Sequence, residues 1–360
     1  MVRSLRKTSV LALAGAALML ASCSSGSSGP AEPRTEFSIG WSIYAGWMPW
    51  PYAQQTGIVK KWADKYGIKI NVVQVNDYVE SINQYTAGKF DGVTVTNMDA
   101  LTIPAAGGKD TSAIIVGDYS NGNDGIVLKG ANDLRAIKGK QVNLVELSVS
   151  HYLLARALST VGMGLTDVST VNTSDADIVG AFSSPDAKAA VAWNPQLSVM
   201  KGVPGAHQVF DSSQIPGEIL DLMVVDTATL KANPNLGKAL AGIWYETVAL
   251  MLRDDAEGKK AREAMAKLAG STPQAFESQL ATTYLYSDPK AAVAATQSPT
   301  LITNMQRVRD FSYSKGLFKG ATSADAVGMA FPADRTLGDP QRVTLRFDTS
   351  FMQLAADGKL

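Results

Sequence analysis

Short segments rich in β-branched residues recur along this chain from Thr35 onward, and helix-forming segments separate them. That alternation constrains the fold more than any other feature. FSIGWSIY (37–44), IKINVVQV (68–75), FDGVTVT (90–96) and SAIIVGDY (112–119) have the length and composition of strands. The turn AGWMPWP leads into a helix expected over 52–66, stopped by Gly67. Asp77 and Glu80 have the spacing of a capping box, which predicts a second helix ending near Gly88. Strands alternating with helices in this way predict a doubly wound α/β sheet.

The polar, Gly-rich SNGNDG (120–125) reads as a hinge, and a second αβ block follows it. KQVNLVEL (140–147), STVNTS (169–174) and AKAAVAWN (187–194) are its expected strands. Helices are expected from Ser148 and from Asp175, and QVFDSS with PGEILDLMVVD (216–226) forms the return path. Beyond it the chain reads as helical to about Phe318, with Pro234, Pro273, Pro289 and Pro299 near helix starts. The tail RVTLRFDTSFMQL regains strand-like alternation. The expectation is two α/β lobes, 36–122 with 225–360 and 123–224, joined by crossings near 121–126 and 217–224. The helical third would return to cover the first lobe, leaving a ligand cleft between the lobes at the strand ends.

The N-terminus carries a different signal. Arg3, Arg6 and Lys7 precede an apolar run from Val10 to Ala21, too short for a span and suited to a signal peptide over 1–22. Leu20-Ala21-Ser22-Cys23 resembles a bacterial lipobox, and such boxes imply a lipid on the Cys, here Cys23, the chain's single cysteine. The Ser/Gly/Pro run after it reads as a flexible tether over 23–35. The whole chain balances 33 basic against 33 acidic side chains, but removing residues 1–22 deletes three basic residues and leaves a mildly acidic protein. One cysteine excludes a disulfide framework, and a balanced charge argues against a nucleic-acid partner.

Enzymatic signals are weak, and no enzyme activity, metal or cofactor is expected. His151 has Ser148 and Ser150 beside it, but there is no G-x-S-x-G elbow and no Walker A motif. Gly162 and Gly164 follow a helix and lack the third glycine of a dinucleotide loop. Two histidines and one lipidated cysteine do not make a zinc site.

Binding signals are stronger. Trp41, Trp47 and Trp50 fall within ten residues of one another, and Trp193 ends a strand of the second block. Trp41 and Trp50 suit the core, whereas Trp47 and Trp193 are candidates for the cleft. Polar side chains gather at the same strand ends: Tyr44, Asp77, Asn97, Asp99, Asn123, Glu146, Ser148, His151 and Asp175 are the candidate ligand contacts. Asp77 and Asp175 also suit helix caps, and Asp118 and Asp124 suit solvation of the hinge. Glu146 follows the apolar run VNLV, where an unpaired carboxylate is costly. No arginine occurs between Arg34 and Arg135, so an anion clamp is missing from the N-terminal segment of the first lobe. Carboxylates, amides and Trp suit a small cation or a neutral polar amide. The start of the helix at Ser148–His151 instead suits an anion.

Taken together, the lipobox, the tether, the two α/β blocks and WSIYAGWMPW resemble the solute-binding lipoproteins of bacterial ABC importers, in the nitrate/sulfonate/taurine-type group. VNDYVESINQYTAGKFDGVTVTNMDAL, VGDYSNGNDGIVLK, KGKQVNLVELSVSHYLLARAL and NTSDADIVGAF resemble the branch associated with urea carboxylase operons. The resemblance implies a two-lobe periplasmic-binding-protein (type II) fold with the helical C-terminal third packed on lobe one. It also implies an exported, monomeric protein, held at the cell envelope by its lipid, that delivers a guanidine- or urea-like solute to an ABC permease and its ATPase. The alternatives are the same fold binding a small anion (taurine, an alkanesulfonate or nitrate), a pyrimidine-precursor-related enzyme, and a surface lipoprotein without a transport role.

Overall fold

The structure, a computed structural model, describes residues 34–360. The expected signal peptide, the lipidated Cys23 and the tether as far as residue 33 lie outside the described residues. Fourteen strands follow in chain order among the described residues: β1 (Glu36–Trp41), β2 (Lys69–Gln74), β3 (Gly92–Thr96), β4 (Thr111–Ser120), β5 (Asp124–Lys129), β6 (Gln141–Leu144), β7 (Ser169–Asn172), β8 (Ala189–Trp193), β9 (Ala206–Asp211), β10 (Leu220–Asp226), β11 (Thr283–Leu285), β12 (Gly328–Phe331), β13 (Arg335–Leu337) and β14 (Val343–Phe347). They form two sheets. The larger has the order β13-β12-β14-β4-β10-β3-β1-β2 with β11 added on β4, and the smaller the order β7-β6-β8-β5-β9.

The chain leaves the larger sheet at the end of β4 and re-enters it at Leu220. That is five residues before the 225 expected from sequence. Because departure and return occur at the same end, β10 runs antiparallel to both β4 and β3. This makes the sheet mixed rather than wholly parallel. β3 and β8 are buried along their whole length, which their unbroken apolar and small residues allow on a sheet covered on both faces.

Helices cover the sheets as their end signals direct. Pro234, Pro273, Pro289 and Pro299 each open a helix, where a missing N–H costs nothing. The helix expected over 52–66 is two helices, Pro49–Thr56 and Ile58–Lys65, because Gly57 between them takes a left-handed φ of 82°. The long helix Pro234–Met251 packs on both of them and on β4, so the C-terminal third covers the larger sheet. Trp50, 1% exposed, stacks on Trp244 of that helix with ring centroids 5.6 Å apart, and Trp41 is buried in the same core. β5, β9, β12 and β13 carry no clear sequence signal. β5 starts inside the expected hinge, and β5 and β9 pair with a register shift between them. Asp175 precedes the helix Ile178–Ser183 instead of starting it. No helix among the described residues is long and apolar enough to cross a membrane.

Candidate functional site

Both crossings run beside one cavity. Tyr44, Trp47, Tyr78, Thr96, Ile219 and Asp221 line it from the larger sheet and its connections. Asn123, Asp124, Val149 and Trp193 line it from the smaller. It holds about 310 Å³ of space with its mouth included. The aromatic rings form a continuous wall: Tyr44 meets Trp47 edge-on at 5.1 Å, Trp47 lies 5.7 Å from Tyr78, and Tyr78 meets Trp193 edge-on at 5.6 Å. Trp193 ends β8 and is 7% exposed, so this wall spans the two sheets.

Carboxylates stand behind and beside the rings. Asp118 of β4 and Asp221 of β10 are direct cross-strand partners, and both are buried. Two like charges opposed in this way repel unless a proton or a cation intervenes. The Tyr44 hydroxyl donates to Asp118 Oδ1 at 3.0 Å and also meets Thr283 Oγ1 at 3.1 Å. Gly46 leaves room for this contact: a Cβ there would lie 2.5 Å from the Tyr44 ring and 2.7 Å from Asp118 Oδ2. Asp124 accepts from Ser120 Oγ at 2.5 Å, and Ser120 Oγ lies 2.6 Å from Ser212 Oγ, which ties the two crossings together.

Burial pushes these acids up. Asp118 reaches about 7, against the hydrogen bonds from Asp221 and Tyr44 that lower it. Burial, then the Asp118 charge, drives Asp221 well above the carboxylate range, so Asp221 is the proton donor of the pair. Asp124 rises to about 6, again through burial. None of the three forms an ion pair with lysine, arginine or histidine among the described residues. Asn123 Oδ1 and Trp47 Nε1 are buried without a hydrogen-bond partner. Among the described residues no group of three or more His, Cys, Asp or Glu side chains is arranged to hold a metal ion.

Of the residues singled out from sequence, Tyr44, Trp47, Asn123 and Trp193 line this cavity. The others do not, and each has a position of its own. Asp99 accepts from the Tyr78 hydroxyl and from Thr96 Oγ1, both at 2.8 Å, and so orients a cavity ring from behind. Burial raises Asp99 to about 6. Asn97 pins the return crossing: its amide donates to Glu218 O at 3.0 Å and its Oδ1 accepts from Leu220 N at 3.1 Å. Asp77 caps the helix Tyr78–Thr86 by accepting from Glu80 N. Asp77, Glu146 and Asp175 instead line a separate groove. There burial, then the Asp77 charge, raises Asp175 to about 6. Glu146 lies past the end of β6 and accepts from Thr170 Oγ1, which answers the cost expected of an unpaired carboxylate.

Ser148 caps the helix Val149–Thr160 and donates to Val145 O at 2.8 Å. His151 Nδ1 accepts from Leu147 N at 3.2 Å, and the ring meets Phe311 edge-on. Burial, reinforced by Lys315, lowers its pKa, so the imidazole is neutral at pH 7 and offers an anion no positive charge. Tyr78 and Asp124 stand among the polar groups at the strand ends in sequence but not among the expected ligand contacts, and sequence reasoning missed Thr96 and Asp221 altogether. Asp124 reads from sequence as hinge polarity, and Asp221 becomes visible only through the pairing of β10 with β4.

Solved structures resemble this fold at low identity. The alkanesulfonate-binding protein SsuA of Xanthomonas axonopodis pv. citri, bound to MOPS, superposes with a TM-score of 0.68 at 18% identity, covering 80% of this chain and 96% of that one. The aliphatic sulphonate-binding protein SsuA of Escherichia coli gives 0.65 at 19% identity, covering 78% and 88%. The nitrate-binding protein NrtA of Synechocystis PCC 6803 gives 0.58 at 14%, covering 91% and 99%. The fold is therefore that of the periplasmic binding proteins. A curated relative in Brucella abortus, named only as a binding protein, is 33% identical over 115 residues, which are 32% of this chain. The alignment spans only 35% of that relative's own length. Residues 52–255 match the family described as NMT1/THI5 like, which is more than half of the chain. By that match the chain belongs to the NMT1/THI5-like family.

Proposed function

We infer that this protein is the solute-binding component of a bacterial ABC importer, lipid-anchored through Cys23, and that it captures a small nitrogenous solute of the guanidine or urea type. One observation carries the reading: the cavity between the sheets combines four aromatic rings with buried carboxylates that have no basic partner. A solute rich in N–H groups suits such a lining, through charge-assisted hydrogen bonds to Asp124 and Asp221 and contact with the ring faces. Groups from both lobes would touch it, so the solute would favour the closed arrangement by its differential affinity, and a permease would then receive it. The lobes of this proposal are residues 36–122 with 220–360 and residues 123–219, the boundary moved from the expected 225 because β10 begins at Leu220 in the larger sheet.

A second reading has its own support. Structural neighbours are named as sulfonate and nitrate binders, so the same fold could carry a small anion such as taurine. The neutral His151 and the acidic cavity weigh against it. A thermal-shift panel of guanidinium chloride, urea, taurine and nitrate on the purified protein separates the two. Stabilisation by guanidinium or urea supports the proposal, and stabilisation by taurine or nitrate alone rejects it.

A further inference from the structure

Asp118 and Asp221 face each other across β4 and β10, Asp221 lines the cavity, and Asp124 reaches the same cavity from the smaller sheet. We propose that this carboxylate pair takes the solute as a planar cation of the amidinium or guanidinium class, and that the cation enters in exchange for the proton the pair holds when empty. The proposal rests on the importer reading above and specifies the charge of its cargo.

The geometry of the pair argues for exchange. Asp221 lines the cavity, and Asp118 stands behind it, held by the Tyr44 hydroxyl at 3.0 Å. Two ionised carboxylates buried side by side are unfavourable, so the empty pair keeps one proton between them. A cation carrying N–H donors on one edge can satisfy Asp221 and Asp124 together. When it binds, the Asp221 proton leaves to solvent, and the pair with its occupant carries one net negative charge before and after. A neutral urea has no charge to exchange and leaves that proton in place. An anion adds to the negative charge and is excluded.

The titratable groups facing the pair are acids and tyrosines: the Asp124 charge raises the pair, and the Tyr44 hydroxyl opposes it by donating a hydrogen bond. They are Tyr44 from the turn after β1, Asp124 from β5 and Tyr286 from the segment after β11, with Asp99 acting on Asp124. No base stands among them to take the proton in place of solvent. The unpartnered Oδ1 of Asn123, 1% exposed and lining the same cavity, is a further acceptor waiting for a donor.

Calorimetry of guanidinium chloride binding, in two buffers of different ionisation enthalpy at pH 6 and pH 7, counts the protons released. The expected result is release of roughly one to two protons per cation, more at pH 6 where Asp118 is also protonated, with affinity falling at least about tenfold for each pH step of acidification below pH 7. Asp221→Asn should abolish the release and weaken cation binding at least tenfold. The wild-type pH dependence keeps the proposal testable if that variant does not fold. Cation binding without proton release at either pH overturns the exchange. Urea binding as tightly as guanidinium overturns the charge requirement while leaving the importer reading intact. Binding of taurine or nitrate with no response to guanidinium overturns both.

Discussion

Opposed aspartates in a dry site should leave a signature in stability even before any solute is added. Burial raises the Asp118 carboxyl from 3.8 to about 7. Between those values the folded protein holds a proton that the unfolded chain has released. Stability is therefore complete below about pH 4 and falls as pH rises toward the folded value. Each tenfold change in proton affinity is worth about 1.4 kcal/mol, so Asp118 alone accounts for a loss of about 4 kcal/mol on going from pH 4 to pH 7. Asp124 and Asp99, each raised to about 6, act with the same sign. Asp110, lowered by Arg346, and Asp226, lowered by the Thr229 N–H and then by Lys109, both against the pull of burial, act with the opposite sign. Their contribution is lost only as pH falls through those lowered values; His151, lowered from 6.5 by burial, opposes the raised acids below pH 6.5, so the stretch from pH 6.5 to about pH 8 belongs to the raised group. The perturbation is Asp118→Asn, which keeps the shape and removes the charge. Differential scanning calorimetry is the assay, because urea and guanidinium chloride are themselves candidate ligands. At roughly 2 °C per kcal/mol for a chain of this size, the wild-type Tm should fall by several degrees between pH 5 and pH 8, and the variant should stay flatter. Parallel profiles for the two proteins would refute the reasoning.

Further outcomes follow from other parts of the site. Trp193→Ala should weaken solute binding at least tenfold by titration and cost about 3 kcal/mol of stability, with Trp193→Phe recovering most of both. Gly46→Ala should disturb the Tyr44–Asp118 contact and lower affinity, while circular dichroism confirms the fold, since the new Cβ would sit 2.5 Å from the Tyr44 ring. Glu218 joins Tyr152 and Arg156 on the helix Val149–Thr160 to the return crossing. Burial would raise its carboxyl, but Arg156 and Tyr152 outweigh burial and hold it below the ordinary range. Glu218→Gln should therefore cost about 2 kcal/mol at pH 7, and the difference in Tm should vanish as pH falls through that lowered value.

What could be read from sequence follows the range of the forces involved. Strands such as β3 and β4 announce themselves by local composition, and the proline-led helices by their first residue. Trp47 and Trp193 are recognisable because they sit at strand ends, where the sheet turns toward a cleft. Asp221 is not. PGEILDLMVVD looks like a connection, and its Asp221 gains meaning only when β10 lies against β4 in the register that opposes Asp221 to Asp118. Asp118 and Asp124 look like hinge polarity for the same reason, since nothing local tells that the hinge is dry. Glu146 misleads in the opposite direction. The run VNLV suggests a buried carboxylate, but β6 stops at Leu144 and Thr170 lies within reach.

The occupant of the cavity between the two sheets is the most direct test of all. A crystal structure of the protein grown with guanidinium chloride would show it. Planar density beside Trp193, with nitrogen atoms within hydrogen-bond distance of Asp124 and Asp221, is the expected result. An empty cavity with an anion ordered at the start of the helix Val149–Thr160, against Ser148 and His151, would contradict it.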